Sequence, residues 1–283
     1  MGVRIALKLL VGAKYWPMKP PGTLLHPIAR RRFLQGMGVL GLLPFPGSAS
    51  AAETIASPTA TVEPTRPGKL KIIVTGGHPG DPEYGCGGTI ARYSDGGHDV
   101  LMLYLNQGDP QETRSRPASP VRKAEALRAA EILGARTAFA GQIDAHAVID
   151  AEHTEAFHSQ IAAEHPDVVF THWPIDNHAD HRAMSILVYD AWRRMGKSFA
   201  LYYYEVSNGE DTVQFSPTHY VDIGKTEERK RQACFAHTSQ SPERYYRVQE
   251  AVTHLRGLDC GYRQAESFIH HIQSPSGWLP GGR

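Results

Sequence analysis

The sequence predicts a single α/β domain built on a mostly parallel sheet with helices on both faces. Three observations predict it. Short apolar, β-branched runs alternate with helix-patterned stretches from residue 69 to residue 272; Gly, Pro and Asp punctuate their ends; and no repeat or second linker divides the stretch. Residues 70–75 form the first apolar run and stop at Gly76-Gly77. Residues 85–93 are patterned as a helix, and residues 99–106 (DVLMLYLN) form a second buried strand. Residues 120–133 (PVRKAEALRAAEIL) place Ala and Leu at helical spacing and close on Gly134. A helix over 154–164, a strand over 167–171 (DVVFT) and a helix over 179–195 follow. Strands over 199–205 and 219–223 and helices over 225–236 and 242–258 complete the order. In such a sheet the ligand sits outside the carboxyl ends of the strands, which places the chemistry after Thr75, Asn106 and Thr171.

The charge balance separates the amino terminus from the rest. Residues 1–51 hold seven basic residues (Arg4, Lys8, Lys14, Lys19, Arg30, Arg31, Arg32) and no acidic one. Removing those seven from the 30 Lys and Arg leaves 23 against 29 Asp and Glu, a net −6. A body of that sign has no electrostatic reason to bind nucleic acid. Arg30-Arg31-Arg32-Phe33-Leu34-Gln35 leads into an uncharged run of about a dozen residues, short of the roughly 20 that span a bilayer. Ala49-Ser50-Ala51 then offers a signal-peptidase site. The pattern resembles a twin-arginine export signal, which implies the twin-arginine translocase as partner, a periplasmic or extracellular mature protein, and no stable membrane anchor once cleaved. The Pro/Thr/Ala-rich stretch 52–68 is a linker, 69–272 the folded domain and 273–283 a tail. Cys86, Cys234 and Cys260 have no metal-ligand spacing, and free buried thiols are expected.

Two motifs carry chemistry. After the first strand comes HPGDPEYGCGG (residues 78–88). Its glycines invite a dinucleotide reading, but Ile90 stands where G-x-G-x-x-G needs its last glycine. His78 and Asp81, three positions apart on a proline-stiffened loop, can instead reach one ion together. After the strand ending at Thr171 comes HWPIDNHADHR (residues 172–182). His178 and His181, three apart at a helix start, can face one cavity. Two histidines and an aspartate would leave a coordination position for water, which zinc acidifies enough to attack a carbonyl near neutral pH. Most of the 15 histidines are surface or hydrogen-bonded core groups; His78 and His181 differ because each lies at a strand end beside an aspartate.

The same residues resemble the PIG-L/LmbE-like family of metal-dependent N-deacetylases. HPGDPEYGCGGT matches its A-H-P-D-D-E…G-x-G-G motif, and NHADH matches its H-x-D-H motif. Asn106–Asp109, Val121–Glu125 and His237–Gln240 occupy further family positions in matching order. The resemblance covers about residues 70 to 270. It implies a Rossmann-like fold, zinc (or iron or cobalt) held by His78, Asp81 and His181, and removal of acetyl from an N-acetylated amino sugar. Arg122 and Asp109 would then contact substrate. His178, oriented by Asp180, would stabilise the oxyanion or protonate the departing amine. One departure bears on mechanism: the family's general-base aspartate is Gly80 here, and Pro82 replaces its glutamate. Asp176 is the first candidate for the replacement base, ahead of Glu83 and Asp109. The resemblance leaves two other readings: a non-catalytic, zinc-containing sugar-binding protein, and a hydrolase of another acyl bond. Tyr202, Tyr203, Tyr204 and Trp173 read as strand packing rather than as a sugar platform.

Overall fold

The computed structural model describes residues 68–108, 120–206 and 211–282. Residues 1–51, read as an export signal, nearly all of the expected linker, and Asp109 lie outside the described residues. The chain order is β1 (Lys71–Gly76), α1 (Asp81–Asp95), β2 (Asp99–Asn106), α2 (Pro120–Leu133), β3 (Arg136–Gln142), α3 (Ala151–Glu164), β4 (Val168–His172) and α4 (Ala179–Arg194). Then come β5 (Ala200–Tyr204), β6 (His219–Asp222), α5 (Glu227–Phe235), α6 (Pro242–Cys260) and β7 (Ala265–His270).

The seven strands lie in the order β3-β2-β1-β4-β5-β7-β6. The first five are parallel, with Ile72 beside Val100 on one side and Val168 on the other. β7 runs antiparallel to both β5 and β6. Successive residues of β1 serve opposite faces, as the two-residue strand period requires. Ile72 and Val74 pack in the layer containing α1, α2 and α5, while Ile73 packs with α3 and α4. Burying one such side chain contributes about 1.5–3 kcal/mol.

Two strands escape the sequence pattern. β3 (RTAFAGQ) is an edge strand, mostly half-buried, so it lacks the apolar run of β1, β2 and β4. β7 (AESFIH) carries a buried glutamate, Glu266, which its apolar neighbours do not announce. Its carboxylate enters α1, accepting from Gly88 N at 2.9 Å and Thr89 N at 2.7 Å and pairing with the buried Lys230 ammonium. Lys230 Nζ also donates to Tyr84 O at 2.7 Å, the carbonyl that a regular helix would pair with Gly88 N–H. The expected tail is part of the body: Tyr93 and Tyr202 donate to the carbonyls of Trp278 and Gly277, and Gly282 bridges to Val221. All three cysteines are free thiols.

Strand order reverses between β1 and β4, because the chain steps outward to β2 and β3 on one side and to β5 on the other. Loops leaving two adjacent parallel strands in opposite directions open a crevice at their carboxyl ends. His78 follows β1 and His172 ends β4, so both histidine motifs reach that crevice.

Candidate metal centre

α1 begins at Asp81, four residues earlier than the helical pattern predicts, so the first motif is the turn into the helix rather than a free loop. Pro82 fits the first helical turn, where a missing N–H costs nothing. Gly80 precedes the helix at φ 117°, a conformation that L side chains rarely adopt. Glu83 closes the turn by accepting from Gly80 N at 3.1 Å. Its other oxygen takes the Tyr104 hydroxyl and His237 Nε2, both at 2.7 Å, so Glu83 is a sealed capping residue and not a base.

Asp81 Oδ2 is the centre of the site. It lies 3.2 Å from His181 Nε2, 3.3 Å from His172 Nε2 and 3.4 Å from His78 Nδ1. Donors around a tetrahedral zinc at about 2.0–2.1 Å sit about 3.3 Å apart, so the donor set suits such an ion. His172 is less free than the other two. Its Nε2 accepts from Gly77 N at 3.0 Å, and its ring stacks on His181 with centroids 4.0 Å apart and planes within 7°.

Each of the two remaining histidines is held by carboxylate at its far nitrogen. His181 Nδ1 lies 3.1 Å from Asp176 Oδ1. His78 Nε2 lies 3.0 Å from Asp144 Oδ1 and 3.1 Å from Asp180 Oδ2. Such partners fix the ring and the tautomer and raise ligand basicity. Asp176 is therefore not placed as a replacement base: it faces the back of His181, and its oxygens also accept His178 N at 2.7 Å and the Thr212 hydroxyl at 3.0 Å. Asp180 likewise departs from its expected role. Its carboxylate binds His78, Asn106 Nδ2 and Ala145 N, while its backbone N–H donates to His178 Nδ1 at 3.2 Å. With Nδ1 accepting, the His178 proton rests on Nε2. His178 stands edge-on to His78 at 4.5 Å and stacks near His181 at 4.8 Å, so this donor lies beside the same histidines.

Charge follows contact. Burial alone would lower His181, but Asp81 and Asp176 overcome it and push the imidazole up to about 10. For His78, Asp144, Asp180 and Asp81 likewise outweigh burial and raise it well above the ordinary histidine value. Burial would raise Asp81, yet the histidines around it hold it well below the usual carboxylate range. His172 is pushed down to about 4 by burial and by the His181 charge, and His178 is lowered by burial and by His78. Asp211 is pushed up to about 6 by burial, with Asp81 and Asp176 adding to the rise and His181 opposing it.

Arg122 is neither a solvated helix residue nor free. Its guanidinium donates to Gly108 O at 2.6 Å and Pro79 O at 3.1 Å, tying the turn after β2 to the turn after β1. Gly108 at φ 72° makes room for it, since a Cβ there would fall 2.2 Å from the guanidinium carbon. Glu125 accepts from Thr238 and Ser239, joining two of the family-like segments. Tyr202, Tyr203 and Tyr204 are buried in the sheet, as expected. Sequence reasoning missed His172, Asp144 and Asp211. The first stood at a strand end in the quoted motif, the second follows the unrecognised β3, and the third belongs to no periodic segment.

The GlcNAc-PI de-N-acetylase (PIG-L) family profile matches residues 73–192, from β1 through most of α4, and so spans every histidine of the site. Residues 73–192 thus carry the PIG-L/LmbE-like family match that the two motifs resemble. The chain is 28% identical over 216 residues to a diacetylchitobiose deacetylase of Thermococcus kodakarensis, covering 69% of this chain and 81% of that protein. It superposes on a conserved protein of Thermus thermophilus with a TM-score of 0.63 and 26% identity, over 74% of this chain and 97% of that one. It superposes on the 4-carboxy-2-hydroxymuconate hydratase of Pseudomonas putida with a TM-score of 0.62 and 19% identity, over 74% and 99%. The last likeness is one of fold alone.

Proposed function

We propose that this protein is a metal-dependent hydrolase that removes the acetyl group from an N-acetylated amino sugar. One observation carries the reading: His78 and His181 converge on a single Asp81 oxygen, each backed at its other nitrogen by carboxylate. The likeness to a diacetylchitobiose deacetylase supplies the substrate class. His78, Asp81 and His181 would hold the ion, zinc by preference with iron or cobalt as alternatives. When bound, the ion polarises the amide carbonyl and acidifies water. The chain's own residues do the rest. His178 presents Nε2–H to the oxygen on which negative charge develops, as an oxyanion donor does. Arg122 holds the turns that carry Pro79 and Gly108 and so shapes the sugar side of the site.

Gly80 favours a second reading, a zinc-containing sugar-binding protein without turnover, because no carboxylate stands at that position. Acetate release from a panel of N-acetylhexosamine glycosides by zinc-loaded protein separates the two. Acetate that disappears in His181→Ala supports the hydrolase. Stoichiometric zinc and sugar binding with no acetate at any pH supports the binder, and release of a different acid points to another acyl bond. We also propose export through the twin-arginine translocase to the periplasm or beyond. Among the described residues no helix is long and apolar enough to cross a membrane. Replacing Arg30, Arg31 and Arg32 by lysine should retain the unprocessed protein in the cytoplasmic fraction; unchanged export would sink the proposal.

A further inference from the structure

Asn106 ends β2 fully buried, and its carboxamide meets two partners of opposite kind. Nδ2 donates to Asp180 Oδ2 at 3.0 Å, and Oδ1 accepts from Gly108 N at 2.7 Å. An ionised carboxylate can only accept and a backbone N–H can only donate, so the position needs a donor and an acceptor on one short, flat group. Asparagine supplies both. An ionised aspartate lacks the donor, and an apolar residue of that size lacks donor and acceptor alike. The backbone is engaged as well: Asn106 N donates to Gly77 O at 3.2 Å, next to the first histidine.

Followed outward in both directions, these bonds close on one turn. On one side Asp180 Oδ2 lies 3.1 Å from His78 Nε2. On the other, Gly108 O accepts from Arg122 Nη1 at 2.6 Å, and Arg122 Nη2 donates to Pro79 O at 3.1 Å. Pro79 is peptide-bonded to His78. The path from His78 through Asp180, Asn106, Gly108, Arg122 and Pro79 is therefore a closed ring, which grips the imidazole at one end and the backbone just after it at the other. With Asp180 and Asp144 both accepting at Nε2, a proton sits on that nitrogen and Nδ1 is the one that faces Asp81, 3.4 Å away. Asn106 is the link at which the ring passes from side-chain partners to backbone partners.

We propose that Asn106 is a positioning residue of the metal centre: its amide donor holds Asp180 against His78 Nε2 and so keeps His78 Nδ1 turned to Asp81 and the ion. The assignment rests on the metal-dependent reading above. Asp180 takes three donors on Oδ2, from Asn106, from Ala145 N at 2.8 Å and from His78. Ala145 lies in the turn after β3 and Asn106 at the end of β2, so the oxygen is fixed from two strands at once. Without the Asn106 donor the carboxylate moves with the turn after β3, and His78 is no longer oriented from the sheet. A ring that must be reoriented as the ion arrives costs affinity at that moment, which is why a partner outside the ligand set matters to binding. Asn106 acts through Asp180 rather than on the ion itself.

The test measures zinc affinity of the metal-free full chain by competition with a chelator, for wild type, Asn106→Asp and Asn106→Ala, from about pH 6 to about pH 8.5. Circular dichroism checks the fold of each, and Asn106→Ala, which introduces no charge, keeps the test open should Asn106→Asp not fold. At about pH 8 both variants should bind zinc about 10- to 100-fold more weakly than wild type. Their pH profiles should then part. The carboxyl introduced by Asn106→Asp is buried against the Asp180 carboxylate, and both effects hold its proton to higher pH. Once protonated it donates to Asp180 and accepts from Gly108 N as the amide does. The loss in Asn106→Asp should therefore shrink to about threefold near about pH 6, while the loss in Asn106→Ala, which has nothing to protonate, stays constant. Zinc affinity within about threefold of wild type at about pH 8 in a folded variant overturns the assignment. So does a loss in Asn106→Asp as large at about pH 6 as at about pH 8, which would make Asn106 a packing residue only. A wild type that binds no zinc refutes the metal-dependent reading itself and takes the assignment with it.

Discussion

Loading the centre with zinc should expel protons, and the structure sets how many. In the metal-free protein His181 is held at about 10 and His78 well above the ordinary histidine value, both by the carboxylates around them. At pH 7 the His181 ring therefore carries two protons, one toward Asp81 and one toward Asp176, and His78 is shifted in the same direction. A metal ligand must offer a lone pair, so the His181 ring has to lose the proton facing Asp81. For His181 the gap between about 10 and pH 7 is a thousandfold penalty, about 4 kcal/mol. Calorimetric titration with zinc in two non-chelating buffers of different ionisation enthalpy should report at least one proton released per ion at pH 7, the one from His181. The apparent Kd should tighten by at least about tenfold for each pH unit gained while His181 remains protonated. Zero protons released, or an affinity flat between pH 7 and 8.5, would refute the reasoning, because it would mean that the Asp81 contacts are not ion pairs in the metal-free state.

The remaining predictions use the same contacts. Because His181 is raised above its unfolded value near 6.5, it stabilises the metal-free fold fully below that pH, and the contribution is lost as pH rises through about 10. The melting temperature of the metal-free protein should fall over that window. Asp176→Asn should weaken zinc by about 10- to 100-fold with the fold intact, read by competition with a chelator; unchanged affinity would remove Asp176 as the partner of His181. Lys230→Met leaves the Glu266 carboxylate buried and unpaired inside α1, and should cost about 3–5 kcal/mol in urea unfolding. A cost under about 1 kcal/mol would show that the pair contributes only what a surface ion pair does.

Legibility in the sequence tracked how local the determining physics is. β1, β2 and β4 are buried on both faces and declare themselves as apolar runs, and His78, Asp81 and His181 stand where those runs end. What pairs with the residues of the site is not local. Asp144 reaches His78 across 66 positions, Asn106 reaches Asp180 across 74, and Glu266 enters α1 from 178 positions away. No spacing rule encodes such partners, since only the folded topology brings them together. The role of Asp180 illustrates the limit: its position beside His178 suggested that its carboxylate orients that ring, but at the start of α4 the backbone N–H points to His178 and the side chain to His78.

The neighbouring hydratase fold shows that this sheet and its crevice do not by themselves choose a reaction. Within the crevice, burial and partners give five carboxylates different surroundings. Three donors consume Glu83, His181 claims Asp176, and His78 claims Asp144 and Asp180 from one nitrogen while Asp81 meets it from the other. A carboxylate committed to a histidine cannot also accept a proton from water without releasing that ring. The sealed groups therefore set the geometry of the centre.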